Sequence, residues 1–187
     1  MGEAGAEALS DYFAAVAGAL ADGPPPELER AVALVAEAVE REATVYTFGN
    51  GACAALAGHL ATDLGKSLRV RIVSLVESSS LLTAYANDHD YDCVFEQPLR
   101  SLLCAGDVAF GLSGSGTSPN VLRALEYARE AGGRTVAFTG AIGATERLDA
   151  CCDVVVRAPL AVMEQIEDVH VVYAHALLWG LRERLHA

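Results

Sequence analysis

The sequence predicts an α/β fold: a three-layer αβα sandwich around a doubly wound five-stranded parallel sheet in the order 2-1-3-4-5, preceded by an N-terminal helical hairpin. Three observations predict it. Two stretches with apolar residues at helical spacing begin the chain, five short β-branched and apolar runs follow, and helical stretches separate these runs. This alternation is typical of parallel sheets, and right-handed crossovers make 2-1-3-4-5 the economical strand order.

The elements follow in chain order. Residues 4–21 and 26–42 form the predicted hairpin, and the last proline of GPPPE between them can begin the second helix. Strands are predicted at TVYTF (44–48), VRIVSL (70–75), DVAFGLS (107–113), TVAFTG (135–140) and DVVVRA (153–158), with helices at 51–64, 92–103, 118–131 and roughly 161–185. The last helix carries an apolar stripe of Ile166, Val169, Tyr173, Leu177 and Leu181.

Length and charge limit the functional classes. The 187 residues fit one domain, which we divide into the hairpin at 1–42 and the α/β core at 43–187. A formal charge of −12 argues against nucleic acid or an anionic membrane as partner. The N-terminus lacks the basic and then apolar pattern of a signal peptide, so we expect a cytoplasmic protein. Five cysteines without a CxxC pair indicate neither a disulfide framework nor a zinc finger.

The loop after the third predicted strand, SGSGTSPN, has the composition of a phosphate site. Ligands of doubly wound sheets bind beyond the carboxyl ends of the strands where strand order reverses, which here means the loops after strands 1 and 3. Ser113, Ser115 and Ser118 offer hydroxyls, Gly114 lets the backbone approach a ligand, and a helix begins next. The loop lacks the Gly-Lys-Ser/Thr of a P-loop, so we expect no nucleotide cofactor.

The loop after the first strand, GNGAC, contains Asn50, Gly51 and Cys53. Its glycines permit a tight turn and close approach of the backbone to a ligand. Cys53 lies near a predicted helix N-terminus, a position that can lower the pKa of a thiol. A simple tight turn would have the same composition, so this loop indicates a ligand site only together with SGSGTSPN.

Candidate metal ligands occur on two predicted helices. His59 and Asp63 are four residues apart and therefore share a helix face. The last helix adds Glu164, Glu167, Asp168, His170 and His175. Glu167 and His175 are separated by roughly 80° around the helix, whereas Asp168 and His175 align better, and spacing does not choose between them. Nitrogen and oxygen ligands of this kind suit zinc, although surface carboxylates and a core histidine bonded to a carbonyl would give the same pattern.

These motifs resemble the sugar isomerase (SIS) domain and, within it, the phosphoheptose isomerase family, over nearly the whole chain. GNGAC stands where the family has GNGGS, AND (86–88) where it has GND, and SGSGTS where it has STSGNS; AGDV (105–108) and MEQIEDVHVVYAH (163–175) complete the likeness.

The resemblance implies an aldose–ketose isomerase that interconverts sedoheptulose 7-phosphate and D-glycero-D-manno-heptose 7-phosphate through an enediol, often with zinc. It places the metal and acid/base residues at His59, Asp63, Glu167 and His175, with Asp63 as base and His175 as acid. Substrate and phosphate would contact Asn50, Gly51, Cys53, Asp88, Ser113, Gly114, Ser115, Ser118 and Glu167. It also implies a homotetramer with sites between subunits.

Four residues depart from the family pattern: Asp63 replaces Glu, Glu167 replaces Gln, Cys53 replaces Ser and Gly114 replaces Thr. The side chain of Asp63 is one methylene shorter than that of glutamate, so its carboxylate is withdrawn by more than about 1 Å, a distance large enough to slow a reaction that depends on positioning. The departures leave two alternatives open. One is a non-catalytic SIS domain that binds phosphosugars or docks a protein, as a replication-initiator-binding relative does; the other is an isomerase of a different phosphosugar.

Overall fold

The computed structural model describes residues 3–186 and has the predicted sheet, five parallel strands in the order β2-β1-β3-β4-β5. The strands are β1 Val45–Gly49, β2 Ile72–Ser74, β3 Val108–Leu112, β4 Arg134–Thr139 and β5 Val154–Arg157. The helices are α1 Glu3–Leu20, α2 Pro26–Glu40, α3 Ala52–Leu68, α4 Ser79–Asp88, α5 Glu96–Leu102, α6 Pro119–Glu130, α7 Glu146–Cys151 and α8 Met163–His186, with a 3₁₀ turn at Tyr91–Cys93.

Two hydrophobic cores lie on opposite faces of the sheet. Helices α2, α3 and α8 cover one face, and α5, α6 and α7 cover the other. Every residue of β1 and β3 is buried, as expected for central strands of a parallel sheet covered on both faces. The predicted apolar stripe of α8 is buried along its whole length, and both N-terminal helices pack against α8.

Several elements differ from the prediction. The helix predicted at 92–103 is divided into the 3₁₀ turn at Tyr91–Cys93 and α5, and α3 continues four residues beyond its predicted end at residue 64. Strand β2 has three residues instead of six, because only Ile72–Ser74 pair with β1 at this edge of the sheet. Helix α4 was not predicted; its apolar stripe is short, and Leu82, Tyr85 and Ala86 pack against the core only partly buried. Helix α7 was missed because six residues are too few to show a helical period.

The central pair of strands brings the two unusual loops together. Val45 pairs with Val108 and Gly49 with Leu112, so β1 and β3 end at the same edge of the sheet. A side chain at Gly49 would place its Cβ 2.7 Å from the Leu112 carbonyl oxygen, which explains the glycine. Among residues 3–186, no helix is both long and apolar enough to cross a bilayer.

Candidate active site

Three of the predicted ligand side chains converge between α3 and α8. His59 and Asp63 stand one turn apart on α3, and His175 approaches from α8. The two Nε2 atoms lie 2.9 Å apart, and Asp63 Oδ2 lies 3.4 Å from His59 Nε2 and 3.9 Å from His175 Nε2. These three donor atoms fall within 4.8 Å of one another, a spacing at which one small cation contacts all three.

The SGSGTS loop gathers hydroxyls at the N-terminus of α6. Ser118 is the N-cap residue, but its side chain makes no capping hydrogen bond. Its Oγ instead lies 3.0 Å from Ser113 Oγ, which lies 3.5 Å from Ser115 Oγ. A serine that served only as an N-cap would accept a hydrogen bond from a backbone N–H in the first turn of that helix. The clustered hydroxyls and the helix N-terminus therefore form an arrangement that can bind a phosphate.

These two features border one cleft with two adjoining cavities. The larger, about 560 Å³, contains His59, His175 and Asp168 in its wall; the smaller, about 240 Å³, contains the serine loop and Asn50. Cys53 and Glu167 line both cavities. An elongated ligand can thus reach the histidine cluster and the serine loop at the same time.

Glu167 and Asp168, between which helical spacing could not choose as a metal ligand, lie in different parts of the cleft. Glu167 lies at the junction of the two cavities and outside the three-residue cluster of close donor atoms. Asp168 lines the larger cavity only, and its Oδ2 accepts a 2.6 Å hydrogen bond from the Tyr12 hydroxyl of α1. This hydrogen bond is the main reason that the pKa of Tyr12 rises to about 12. Tyr12 thereby links α1 to Asp168 in the wall of the larger cavity.

His170 is the core histidine that the sequence left open as an alternative. Its ring is fully buried, and Nε2 donates to the Thr139 carbonyl at 3.0 Å. Burial lowers the pKa of His170, although the hydrogen bond to Thr139 opposes the change. The neutral ring forms part of the cavity wall, whereas His59 and His175 are about half exposed.

Comparison with known proteins shows to which family the chain is related. The family model of the SIS domain matches residues 7–140. A phosphoheptose isomerase of Pelobacter propionicus is 37% identical over 159 residues, which cover 82% of each chain. The chain belongs to the phosphoheptose isomerase family. A second relative of that name, from Rhodospirillum rubrum, is 37% identical over 84% of this chain and 85% of its own.

The structural comparison agrees with this placement. The structure of phosphoheptose isomerase from Neisseria gonorrhoeae superposes with a TM-score of 0.86 at 28% identity, covering 97% of this chain and 98% of that one. The family and fold predicted from the sequence are confirmed, and with them the enzyme class of the family, the aldose–ketose isomerases.

The structure explains one departure from the phosphoheptose isomerase pattern, Gly114, and corrects one expectation about another, Cys53. A Cβ at Gly114 would lie 2.4 Å from Met163 Sδ, so the methionine of α8 fills the space that a threonine would need. Cys53 corrects the expectation of a lowered thiol pKa. The pKa of Cys53 is raised because burial disfavours the thiolate, and this outweighs a backbone hydrogen bond at Gly114.

Two predicted site residues line neither cavity: Asp63, which contacts His59 and His175 of the larger cavity, and Asp88, which lies away from the cleft. Asp88 is exposed at the end of α4, where its Oδ1 accepts a hydrogen bond from Asn87. The role of Asp88 as an active-site acid stays a prediction.

Sequence reasoning missed three residues of the site. Met163 lines the smaller cavity, Tyr12 donates a hydrogen bond to Asp168 in the wall of the larger cavity, and Asn120 bonds to Asn50. Only Asn120 has a signal in the sequence: it follows SGSGTSP in the first turn of α6, where an amide side chain can bond back to a loop. The other two depend on contacts between distant segments.

Proposed function

We propose that this chain is a phosphoheptose isomerase that interconverts sedoheptulose 7-phosphate and D-glycero-D-manno-heptose 7-phosphate. The observation that carries the proposal is the cleft in which Cys53 and Glu167 border both cavities. A sugar phosphate needs an anchor for its phosphate and ionisable groups at its carbonyl end. The serine loop supports the first requirement, and the cluster of His59, Asp63 and His175 supports the second.

Isomerisation needs one proton moved between two carbons and one moved between two oxygens. In the proposed mechanism Asp63 removes the C1 proton of the ketose, and the released electron pair forms the C1–C2 double bond of the enediol while the C2 oxygen gains a proton. Asp63 then returns the proton to C2, the O1 proton leaves, and C1 becomes the aldehyde. His175, on the facing helix, supplies and accepts the oxygen protons, and its exposed ring can reach a sugar in the larger cavity.

The donor set fits zinc. Two imidazole nitrogens and one carboxylate oxygen are ligand types that zinc accepts, and zinc can expand to five ligands when a substrate oxygen binds. Nitrogens bound to a tetrahedral zinc lie about 3.3 Å apart, and the Nε2 atoms of His59 and His175 are 2.9 Å apart. We propose that His59 and His175 hold the ion through Nε2, that Asp63 holds it through Oδ2 and that Glu167 adds a fourth ligand, which would leave Asp63 Oδ1 and His175 Nδ1 for the proton transfers. When bound, zinc would polarise the carbonyl and hydroxyl oxygens of the sugar.

A homotetramer is the proposed assembly. Its support in this chain is the exposure of large apolar side chains on α1 and α8: Phe13 is 73% exposed and Trp179 is 62% exposed. Contacts between subunits would remove such surface from water. Light scattering after size exclusion tests the assembly, with a monomer at micromolar concentration as the contradicting result. The cytoplasmic location stays a prediction.

Proton NMR of sedoheptulose 7-phosphate in D₂O with the purified protein tests the reaction. The expected result is a new aldose with deuterium at C2, lost after chelation and recovered with zinc. Turnover unaffected by chelation would keep the isomerase and discard the metal. No conversion under any condition would contradict the proposed reaction and leave a different phosphosugar or a binding role.

A further inference from the structure

The side chain of Asn50, predicted to contact substrate, is engaged by the protein at both of its polar ends. Its Nδ2 donates to Asn120 Oδ1 at 2.9 Å, and its Oδ1 accepts from Asn120 Nδ2 at 2.9 Å and from the Tyr91 hydroxyl at 3.0 Å. We call Asn50, Asn120 and Tyr91 the amide clamp. Asn120 is only 2% exposed, so its half of the clamp is shielded from water.

The orientation of both amides follows from one backbone group. The Val121 N–H donates to Asn120 Oδ1 at 3.0 Å, and a backbone N–H can only donate, so this atom is the oxygen. The atom of Asn50 that faces it must then be the nitrogen, which leaves Asn50 Oδ1 to accept from Asn120 Nδ2 and Tyr91. Every hydrogen bond of the clamp is therefore consistent with a single assignment.

The clamp joins the two loops that form the smaller cavity. Asn50 follows β1, whereas Asn120 lies two residues after Ser118, at the end of the serine loop. The cavity between these loops includes Gly51 on one side and Ser113 and Ser118 on the other. The loops come from different strands, so their separation depends on contacts between them.

Tyr91 is itself held against α6. Arg123 of α6 bonds to Asp90, the residue before Tyr91, at 3.3 Å, and to the buried Glu96 at 2.8 Å. The 3₁₀ turn that carries Tyr91 is thus fixed to the helix that carries Asn120. The Tyr91 ring remains 58% exposed, so its hydroxyl can be removed without opening a core.

We propose that Asn120 and Tyr91 are positioning residues that hold Asn50 and the serine loop at the separation a phosphate requires, and that Asn50 acts in this framework. The proposal rests on the proposed function only in its kinetic readout. A phosphate is bound equally in the ground state and the transition state, so a loosened clamp raises KM and leaves kcat near the wild-type value. A residue needed only for folding would lower the active fraction and leave KM unchanged.

The test compares Asn120→Ala, Tyr91→Phe and the double variant, with Tyr127→Phe as the control. Tyr127 lies on the same helix under the Arg100 guanidinium and takes no part in the clamp. We expect KM for sedoheptulose 7-phosphate to rise about tenfold in Asn120→Ala and about threefold in Tyr91→Phe, the size of one or two lost hydrogen bonds. Tyr91→Phe should have little further effect in the Asn120→Ala background, because both residues act through Asn50.

Titration of each variant with inorganic phosphate, followed by calorimetry, gives a readout that needs no turnover. The dissociation constant of phosphate should rise in parallel with KM. If the wild type binds phosphate but does not convert the sugar, the proposed function fails and this titration still tests the clamp. Unchanged phosphate affinity in Asn120→Ala and Tyr91→Phe, additive effects in the double variant, or no measurable phosphate binding by the wild type would overturn the clamp.

Discussion

Replacing Ser118 by alanine distinguishes two roles for this residue, a helix cap and a phosphate-binding hydroxyl. Ser118 precedes α6 without capping it, and its hydroxyl lies 3.0 Å from that of Ser113. Loss of a capping serine costs about 0.5–2 kcal/mol of stability. Here no cap is lost, so we expect the free energy of unfolding to fall by less than about 1 kcal/mol, the size of one partly exposed hydrogen bond.

Binding should respond much more strongly than stability. A hydrogen bond to a charged group contributes about 1.5–3 kcal/mol, so the dissociation constant of the sugar phosphate should rise roughly 10- to 150-fold in Ser118→Ala. Titration calorimetry with sedoheptulose 7-phosphate measures this change, and urea unfolding followed by circular dichroism measures stability.

Ser78→Ala is the matched control. Ser78 precedes α4, also makes no side-chain cap, and lies outside both cavities. It should change neither quantity. A Ser118→Ala protein that loses more than about 1 kcal/mol of stability but binds the sugar phosphate like the wild type would refute the reasoning and return Ser118 to a structural role.

Three further predictions concern packing and charge. Gly114→Thr should cost no more than about 1 kcal/mol of stability, because the flexible and 37% exposed Met163 side chain can move aside, and Met163→Ala should remove most of that cost in a double-mutant cycle of urea unfolding. A larger cost or additive effects would contradict this account of the contact. Glu96→Gln should cost about 1–3 kcal/mol of stability in the same assay, because the buried carboxylate bonds to two guanidinium groups. The control Glu126→Gln, at a more exposed ion pair, should cost less than about 1 kcal/mol, and equal costs would count against burial as the cause. Burial lowers the pKa of His170, so the stability that the neutral ring contributes is complete above the unfolded pKa near 6.5 and is lost as pH falls towards the folded pKa. His170→Gln should therefore reduce the fall in unfolding free energy below about pH 6.5. An unchanged dependence of unfolding free energy on pH would contradict this.

The fold was largely readable from the sequence because its central elements are periodic. The strands β1 and β3 are short buried runs of mostly apolar residues, and α8 repeats an apolar residue every three or four positions. The short and exposed elements show too little of such a pattern, which is why α4 and α7 were missed. The treatment of residues 1–187 as one domain stays a prediction.

The site was predicted less completely, since spacing does not fix the rotation of a helix in its environment. The pair His59 and Asp63 could be read from a four-residue separation on one helix, but their meeting with His175 required the family resemblance. Tyr91 could not be assigned and Asn120 had only its place after SGSGTSP as a signal, because each contacts Asn50 across a long stretch of chain. The filling of the space at Gly114 by Met163 was equally invisible in the sequence.

His175 belongs to the last of the cleft segments in chain order, which has a consequence for synthesis of the protein. The cleft draws on segments beginning at Asn50, at Ser113 and at Met163, and the last of these belongs to α8, whose apolar stripe covers one face of the sheet. During translation, residues 50–63 emerge long before α8, so the nascent chain carries half of the cleft and an uncovered sheet face. Fragments that stop before α8 should therefore be both inactive and prone to aggregate, because they lack one wall of the cleft and the cover of one sheet face.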